Sequence, residues 1–147
     1  MRSLLLITFF MAVSTRMTAH AQPTPGVLQI EVSGARNNKG VVLCSVFTDA
    51  QGYPDNAAMA LYKARLPFRN GRVLFEVTSL AAGQYAVAIL HDENEDGKMN
   101  TSTLGLPKEG YGFSNNVMGL FGPPSFAKAA VTIKEGARKS ISLELRY

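Results

Sequence analysis

VLFEVTSLAAGQYAVAIL, residues 73–90, carries an apolar–polar alternation on either side of a small-residue break. Val73, Phe75 and Val77 interleave with Leu74, Glu76 and Thr78; beyond Ala82-Gly83, Tyr85, Val87 and Ile89 interleave with Ala86, Ala88 and Leu90. Successive strand side chains point to opposite faces, so a period of two predicts two strands, each with one face inward. The short break between them predicts an antiparallel pair joined by a turn.

The same period recurs outward from this stretch. Leu28, Ile30 and Val32 alternate with Gln29, Glu31 and Ser33, and GARNNKG (34–40) has turn chemistry. VVLCSVF (41–47) is apolar on both faces over much of its length, as in a central strand. Near the end, Ala129 to Lys134 and Ser140 to Arg146 flank Gly136, with Ile141, Leu143 and Leu145 facing inward. Asn56 to Ala64 (NAAMALYKA) follows an Asp/Asn start with helix formers and predicts a short helix, closed by Pro67. Six to seven short strands with one short helix and a long ordered loop predict an all-β, antiparallel β-sandwich. The strands around LAAGQYAVAIL (80–90) resemble transthyretin-like or immunoglobulin-like sandwich domains of exported bacterial proteins, a likeness of fold that carries no function.

Residues 1–21 read as a secretory signal peptide. Arg2 begins it, Leu4 to Val13 (LLLITFFMAV) form its apolar region, and Ala19-His20-Ala21 offers a cleavage site. A membrane anchor needs about 17 to 25 apolar residues, and Arg16 cuts this run short. Gln22 to Gly26 is then a Pro-rich leader, and residues 27–147 form one domain. The expected location is exported, periplasmic or extracellular. No later segment has the apolar length of a transmembrane helix.

The charge is less basic than the whole chain suggests. Arg2 and Arg16 belong to the expected signal peptide, so the 15 Lys and Arg fall to 13 against 11 Asp and Glu. A balance near +2, with no basic cluster, argues against nucleic acid as a partner. Cys44, the one cysteine, alternates with Val42 and Val46 and is expected to be a small buried core side chain.

From His91 to Phe126 the periodicity disappears over some 35 residues that hold six Gly and three Pro. Its start, HDENEDGKMN (91–100), reads D-x-N-x-D-G-x-x-N from Asp92. A hard cation such as calcium takes six to eight oxygens, and alternate residues of a tightly wound loop can aim theirs inward together. Asp92, Asn94, Asp96, the Lys98 carbonyl and Asn100 are therefore candidate calcium ligands, with Glu109 as a distant carboxylate to complete the shell. Thr103 stands where an EF-hand has its bidentate acid, and a strand precedes the loop, so this is not an EF-hand. The plain alternative is a solvated acidic turn. Four carboxylates between Asp92 and Asp96 repel one another, which a bound cation would relieve.

The next stretch, GLPKEGYGFSNN (105–116), interleaves aromatics with polar side chains. His91, Tyr111, Phe113, Ser114 and Asn115 are candidate contacts for a small polar ligand or glycan. The competing reading is a long loop pinned over the sandwich by its aromatics. The string HDENEDGKMNTSTLGLPKEGYGFSNNVMGLFGPPSFAKAAVTI (91–133) resembles the bacterial exported domain-of-unknown-function family numbered 2141. The resemblance implies a signal peptide and a single β domain, and no catalytic residue. Relatives commonly carry Asp where this chain has Asn100, which implies a weaker cation site here.

Three functional classes follow. A non-catalytic binding module rests on the sandwich pattern and the acidic loop. A hydrolase-like enzyme would use His91 with Asp92, Glu109 or Ser114 as base, orienting acid or nucleophile. Against it, no G-x-S-x-G or H-E-x-x-H occurs, and His91 follows the strand alternation, as a strand-end His bonding loop backbone would. A structural envelope protein would pair through a sheet edge with a larger partner.

Overall fold

The computed structural model describes residues 22–147. The expected signal peptide lies outside them. Eight strands form two stacked sheets: β1 (Gly26–Ser33), β2 (Val41–Phe47), β3 (Tyr62–Pro67), β4 (Arg72–Leu80), β5 (Gly83–Asp92), β6 (Gly110–Phe113), β7 (Val131–Ile133) and β8 (Arg138–Glu144). The only α-helix among the described residues is one turn, α1 (Phe126–Ala129). One sheet has the order β4-β1-β8 and the other β3-β2-β5-β6. β7 shares the outer side of β5 with β6: Gly83–Tyr85 pair with β7 and Ala88–His91 with β6.

The core is the sum of the inward alternate positions. Leu28, Ile30 and Val32 of β1, with Val73, Phe75 and Val77 of β4, meet Val42, Cys44 and Val46 of β2 and Tyr85, Val87 and Ile89 of β5. Each such side chain removed from water contributes roughly 1.5–3 kcal/mol, so this double layer dominates the stability. A second, smaller cluster lies on the other side of β5, where Phe113, Ala86 and Ala129 pack with Tyr53 and Phe126.

Two expectations are corrected and a third is refined. First, β4 and β5 are not a hairpin. β4 pairs with β1 and β5 with β2, so the chain crosses between sheets at Leu80–Gly83. The Tyr85 hydroxyl donates 2.7 Å to the Ala81 carbonyl, pinning this corner as tyrosine corners do in immunoglobulin-type sandwiches. Tyr85→Phe is expected to lower unfolding free energy by about 1–2 kcal/mol in urea, leaving the fold unchanged.

Second, the helix expected over 56–64 is a single 3-10 turn, Ala57–Met59, followed by β3. Tyr62 and Ala64 pack toward the core while Lys63 and Arg65 lie opposite, so tertiary packing overrides the helix-forming composition. Third, the expected all-β sandwich is present, with one of its strand pairings parallel. β8 runs parallel to β1, from Val27 beside Arg138 to Ser33 beside Glu144. Past β8, Arg146 exchanges both backbone hydrogen bonds with Tyr111 of β6, at 2.9 and 2.8 Å. That bridge ties the two sheets together along one side, next to the long loop.

Candidate functional site

β5 carries the chain to Asp92, and β6 brings it back at Gly110 opposite His91. The acidic loop therefore stands at one end of the five-stranded sheet. Asp92 is buried, 1% exposed, and its two oxygens accept the Asp96 and Gly97 N–H groups at 3.1 and 2.8 Å. Gly97 has φ +81°, the left-handed conformation that curls the loop back on Asp92. Asp96 Oδ1 accepts the Lys98 N–H at 3.1 Å, and Asp96 Oδ2 accepts the side-chain amides of Asn94 and Asn100 at 3.1 and 2.8 Å. Asp92, Asn94, Asp96 and Asn100 are thus brought together. The Asn100 amide holds the Asp96 carboxyl below the usual carboxylate range against the opposing cost of desolvation, with help from the Lys98 N–H and Asn94.

Glu109 does not join them. It is 4% exposed, and its two oxygens accept the Glu93 and Asn100 N–H groups, each at 2.9 Å. It clamps the two ends of the loop. Glu93 turns outward to Arg36 (2.7 Å) and Asn37 (2.9 Å). Partial burial pushes the Glu93 carboxyl up, and these hydrogen bonds outweigh it and hold it below its ordinary range.

The cation fit follows from the donor set. Among the described residues no three His, Cys, Asp or Glu side chains gather as a metal-holding group. The loop offers two carboxylates and two amides. Asn94 and Asn100 present their amide nitrogens to Asp96, so a cation requires both amides to turn their oxygens inward. Asp92 keeps free lone pairs beside its two N–H bonds. A calcium ion would need further oxygens beyond these four side chains, such as the Lys98 carbonyl and water.

His91 is fully buried in the inner layer beside Phe68. Its Nε2 lies 2.8 Å from the Lys39 carbonyl, which only accepts, so Nε2 carries the proton. In the neutral ring Nδ1 then accepts from the Tyr147 hydroxyl at 2.7 Å. That hydroxyl also accepts the Arg36 N–H at 3.1 Å, while the Arg36 guanidinium stacks 4.6 Å from the Tyr147 ring centre. Both nitrogens of His91 are therefore engaged in joining three segments.

Ser114, Asn115 and Asn116 do similar work. β6 and β7 leave a gap beside Val87, and the buried Ser114 hydroxyl fills it: Oγ accepts the Val87 N–H at 2.9 Å and donates to the Ala129 carbonyl. The Asn115 amide donates to the Lys128 and Ala130 carbonyls, both at 3.1 Å. Asn116 donates to the Ser142 carbonyl at 3.0 Å and accepts the Glu144 N–H at 2.9 Å, acting as a substitute ladder partner for β8. Asn115 and Asn116 have φ of +62° and +51°, which asparagine tolerates better than most residues. The sequence reading missed Asn116 altogether. Two adjacent asparagines after a serine, with no strand period, were the available signal.

Tyr111 and Phe113 face away from the main core on the outer side of the five-stranded sheet. Phe113 is buried 6.2 Å from the Tyr53 ring, and Tyr111 is half-buried beside it. Strand register places Arg65, Leu43, Leu90 and Tyr111 in one row across this face, and Arg65 pairs with Glu95 of the acidic loop at 2.7 Å. Cys44 is a core side chain whose thiol is pushed up to about 12 by burial. Ser114 and His91 are thus bonded internally, and Cys44 is sealed in the core.

Comparison with known proteins places the chain. The family described as "Uncharacterized protein conserved in bacteria (DUF2141)" matches residues 30–141, and the chain belongs to that family. No curated protein matches. Among solved structures, a pilus-presented adhesin, Spy0125 (Cpa), is similar at 13% identity and a TM-score of 0.27, covering 84% of this chain and 26% of the adhesin. A second data set of that adhesin gives 13% identity and a TM-score of 0.22, covering 84% and 27%. The chain thus spans about a quarter of the adhesin, and that likeness carries no argument about function.

Proposed function

We propose that this member of the family is an exported, non-catalytic binding module whose acidic loop takes a calcium ion through Asp92, Asn94, Asp96, the Lys98 carbonyl and Asn100. One observation carries the reading: within nine consecutive residues the Asn94, Asp96 and Asn100 side chains bond one another, and Asp92 holds the Asp96 and Gly97 N–H groups of the same loop, whose ends are clamped by Glu109. Asn94 and Asp96 are exposed and Asn100 is half-buried, so an ion can reach the cluster. The sequence of residues 1–21 supports export, and export would supply the millimolar calcium that an incomplete site needs. The absence of an available nucleophile–base pair in the 91–116 segment supports a binding role over hydrolysis. The outer face beside Tyr111, joined to the loop through Arg65–Glu95, is the surface offered to a small polar ligand, glycan or envelope protein.

Thermal unfolding with and without calcium tests this reading. Extracellular-type sites have Kd values of about 10⁻⁴ to 10⁻³ M, so about 5 mM calcium adds roughly 1.4 kcal/mol at a Kd near 5 × 10⁻⁴ M. For a domain of this size the expected rise in Tm is about 4–7 °C. Magnesium should give less, because it demands a tighter octahedron. Asp96→Asn should remove most of the rise, measured against its own calcium-free Tm, which falls as an NH₂ replaces an oxygen that accepts two amides. An unchanged Tm for the parent protein in calcium overturns the proposal.

A further inference from the structure

Between the Asn116 anchor and α1 the chain makes a short excursion, VMGLFGPPS (117–125). Two large apolar side chains at its tip touch almost nothing: Leu120 is 94% exposed and Phe121 103%. The other phenylalanines of the described fold behave differently. Phe47, Phe68, Phe75 and Phe113 are buried, and Phe126 packs on Tyr53.

The projection is built. At its base Val117 and Phe126 pack into the second core cluster, and the Asn115 and Asn116 side chains tie the backbone to α1 and β8. Behind the tip the two arms touch: a Cβ at Gly119 would lie 2.1 Å from the Gly122 carbonyl oxygen. This pinch holds Leu120 and Phe121 outward, and Pro123-Pro124 stiffen the return arm.

We infer that this tip is a membrane-surface anchor, inserting Leu120 and Phe121 into the headgroup–acyl boundary of a lipid bilayer. Area and charge both favour lipid over a protein partner. A stable protein interface buries about 1,200 Å² or more in total, which two side chains on a narrow projection cannot supply. A bilayer has no such minimum, and it accepts a convex tip without providing a matching pocket. From Gly110 through Lys134 there is no Asp or Glu, and the charged residues are Lys128 and Lys134. Along the segment itself an anionic bilayer surface therefore meets no repelling charge, and at its base the Glu144 carboxylate is paired with Arg146. Burying either side chain raises partitioning by roughly tenfold or more.

The chain has no tryptophan, so Phe121→Trp gives a reporter confined to the tip. Its emission should shift to the blue on adding vesicles of equal parts phosphatidylcholine and phosphatidylglycerol, and brominated acyl chains should quench it. Adding Leu120→Asp should reduce that partitioning about tenfold or more, while circular dichroism stays unchanged. Emission that stays red at millimolar lipid overturns the inference. So does a blue shift that grows with protein concentration in the absence of vesicles, which would mean that the tip docks on a second copy. The experiment is done with a calcium chelator present, so its failure and that of the cation site are read separately.

Discussion

Glu109→Ala is expected to cost about 3–5 kcal/mol of unfolding free energy, measured by urea denaturation without calcium. The buried carboxylate accepts the Glu93 and Asn100 N–H groups, and no other acceptor for them is present nearby in the hydrogen-bond network. Both donors are half-buried, and each hydrogen bond to a charged group contributes about 1.5–3 kcal/mol. Glu109→Gln keeps one acceptor oxygen but turns an NH₂ toward the other N–H, so it should recover only part of the loss. The size of the effect discriminates between roles. A carboxylate whose only task was to ligate an ion would leave the calcium-free stability almost untouched when removed. A stability loss under about 1 kcal/mol for Glu109→Ala would therefore contradict the clamp. Limited proteolysis should also cut the variant between residues 93 and 108, since the loop loses the bond that joins its ends.

Gly40→Ala is expected to be as damaging, by about 3–5 kcal/mol, for a steric reason. Gly40 has φ +61°, and an added Cβ would lie 2.0 Å from the Asp92 carbonyl oxygen and 2.8 Å from Glu93 Cα. Both are backbone atoms at the root of the acidic loop, so no side-chain rotation relieves the contact. The strands must part where Val41 pairs with Asp92, and the neighbouring Lys39 carbonyl moves off His91 Nε2. Gly71→Ala is the matched control. It too has positive φ, +80°, but its Cβ would meet nothing within 4 Å, so only the conformational cost of about 1 kcal/mol remains. Equal losses for the two variants, in the same denaturation experiment, would show that backbone contact at Gly40 is not the cause.

The strands with a plain period of two were legible because their inner positions are large and apolar. β1, β2, β4, β5 and β8 all have this form. β6 was hidden for the converse reason. Its inner positions are Gly110 and Gly112, where the Tyr147 ring and Ile89 already fill the space a Cβ would need. Its apolar side chains, Tyr111 and Phe113, face outward, so the strand read as loop. β3 was hidden by helix-forming residues on an edge strand. The β4–β5 crossover looked like a hairpin because local sequence does not record which sheet a strand joins. The parallel partnership of β1 and β8 joins the two ends of the described chain and left no local trace.

The 91–116 segment shows the same division. Asp92, Asn94, Asp96 and Asn100 stood out by spacing; the fold joins the side chains of the last three and turns Asp92 onto the loop's own N–H groups. Glu109, His91, Ser114 and Asn115 stood out by chemical type, yet the fold uses them to satisfy backbone groups. Residue type alone could not separate the two roles, since a buried carboxylate serves two N–H groups as readily as one cation.

A calcium titration followed by the ¹⁵N–¹H amide spectrum tests this division most directly. The amides of Asn94 to Lys98 are expected to shift and saturate at about 10⁻⁴ to 10⁻³ M calcium. Those of Tyr111 to Asn116 should stay in place. A loop that shows no shift roughly tenfold above that range, or shifts centred on Tyr111 to Asn116, would contradict the account.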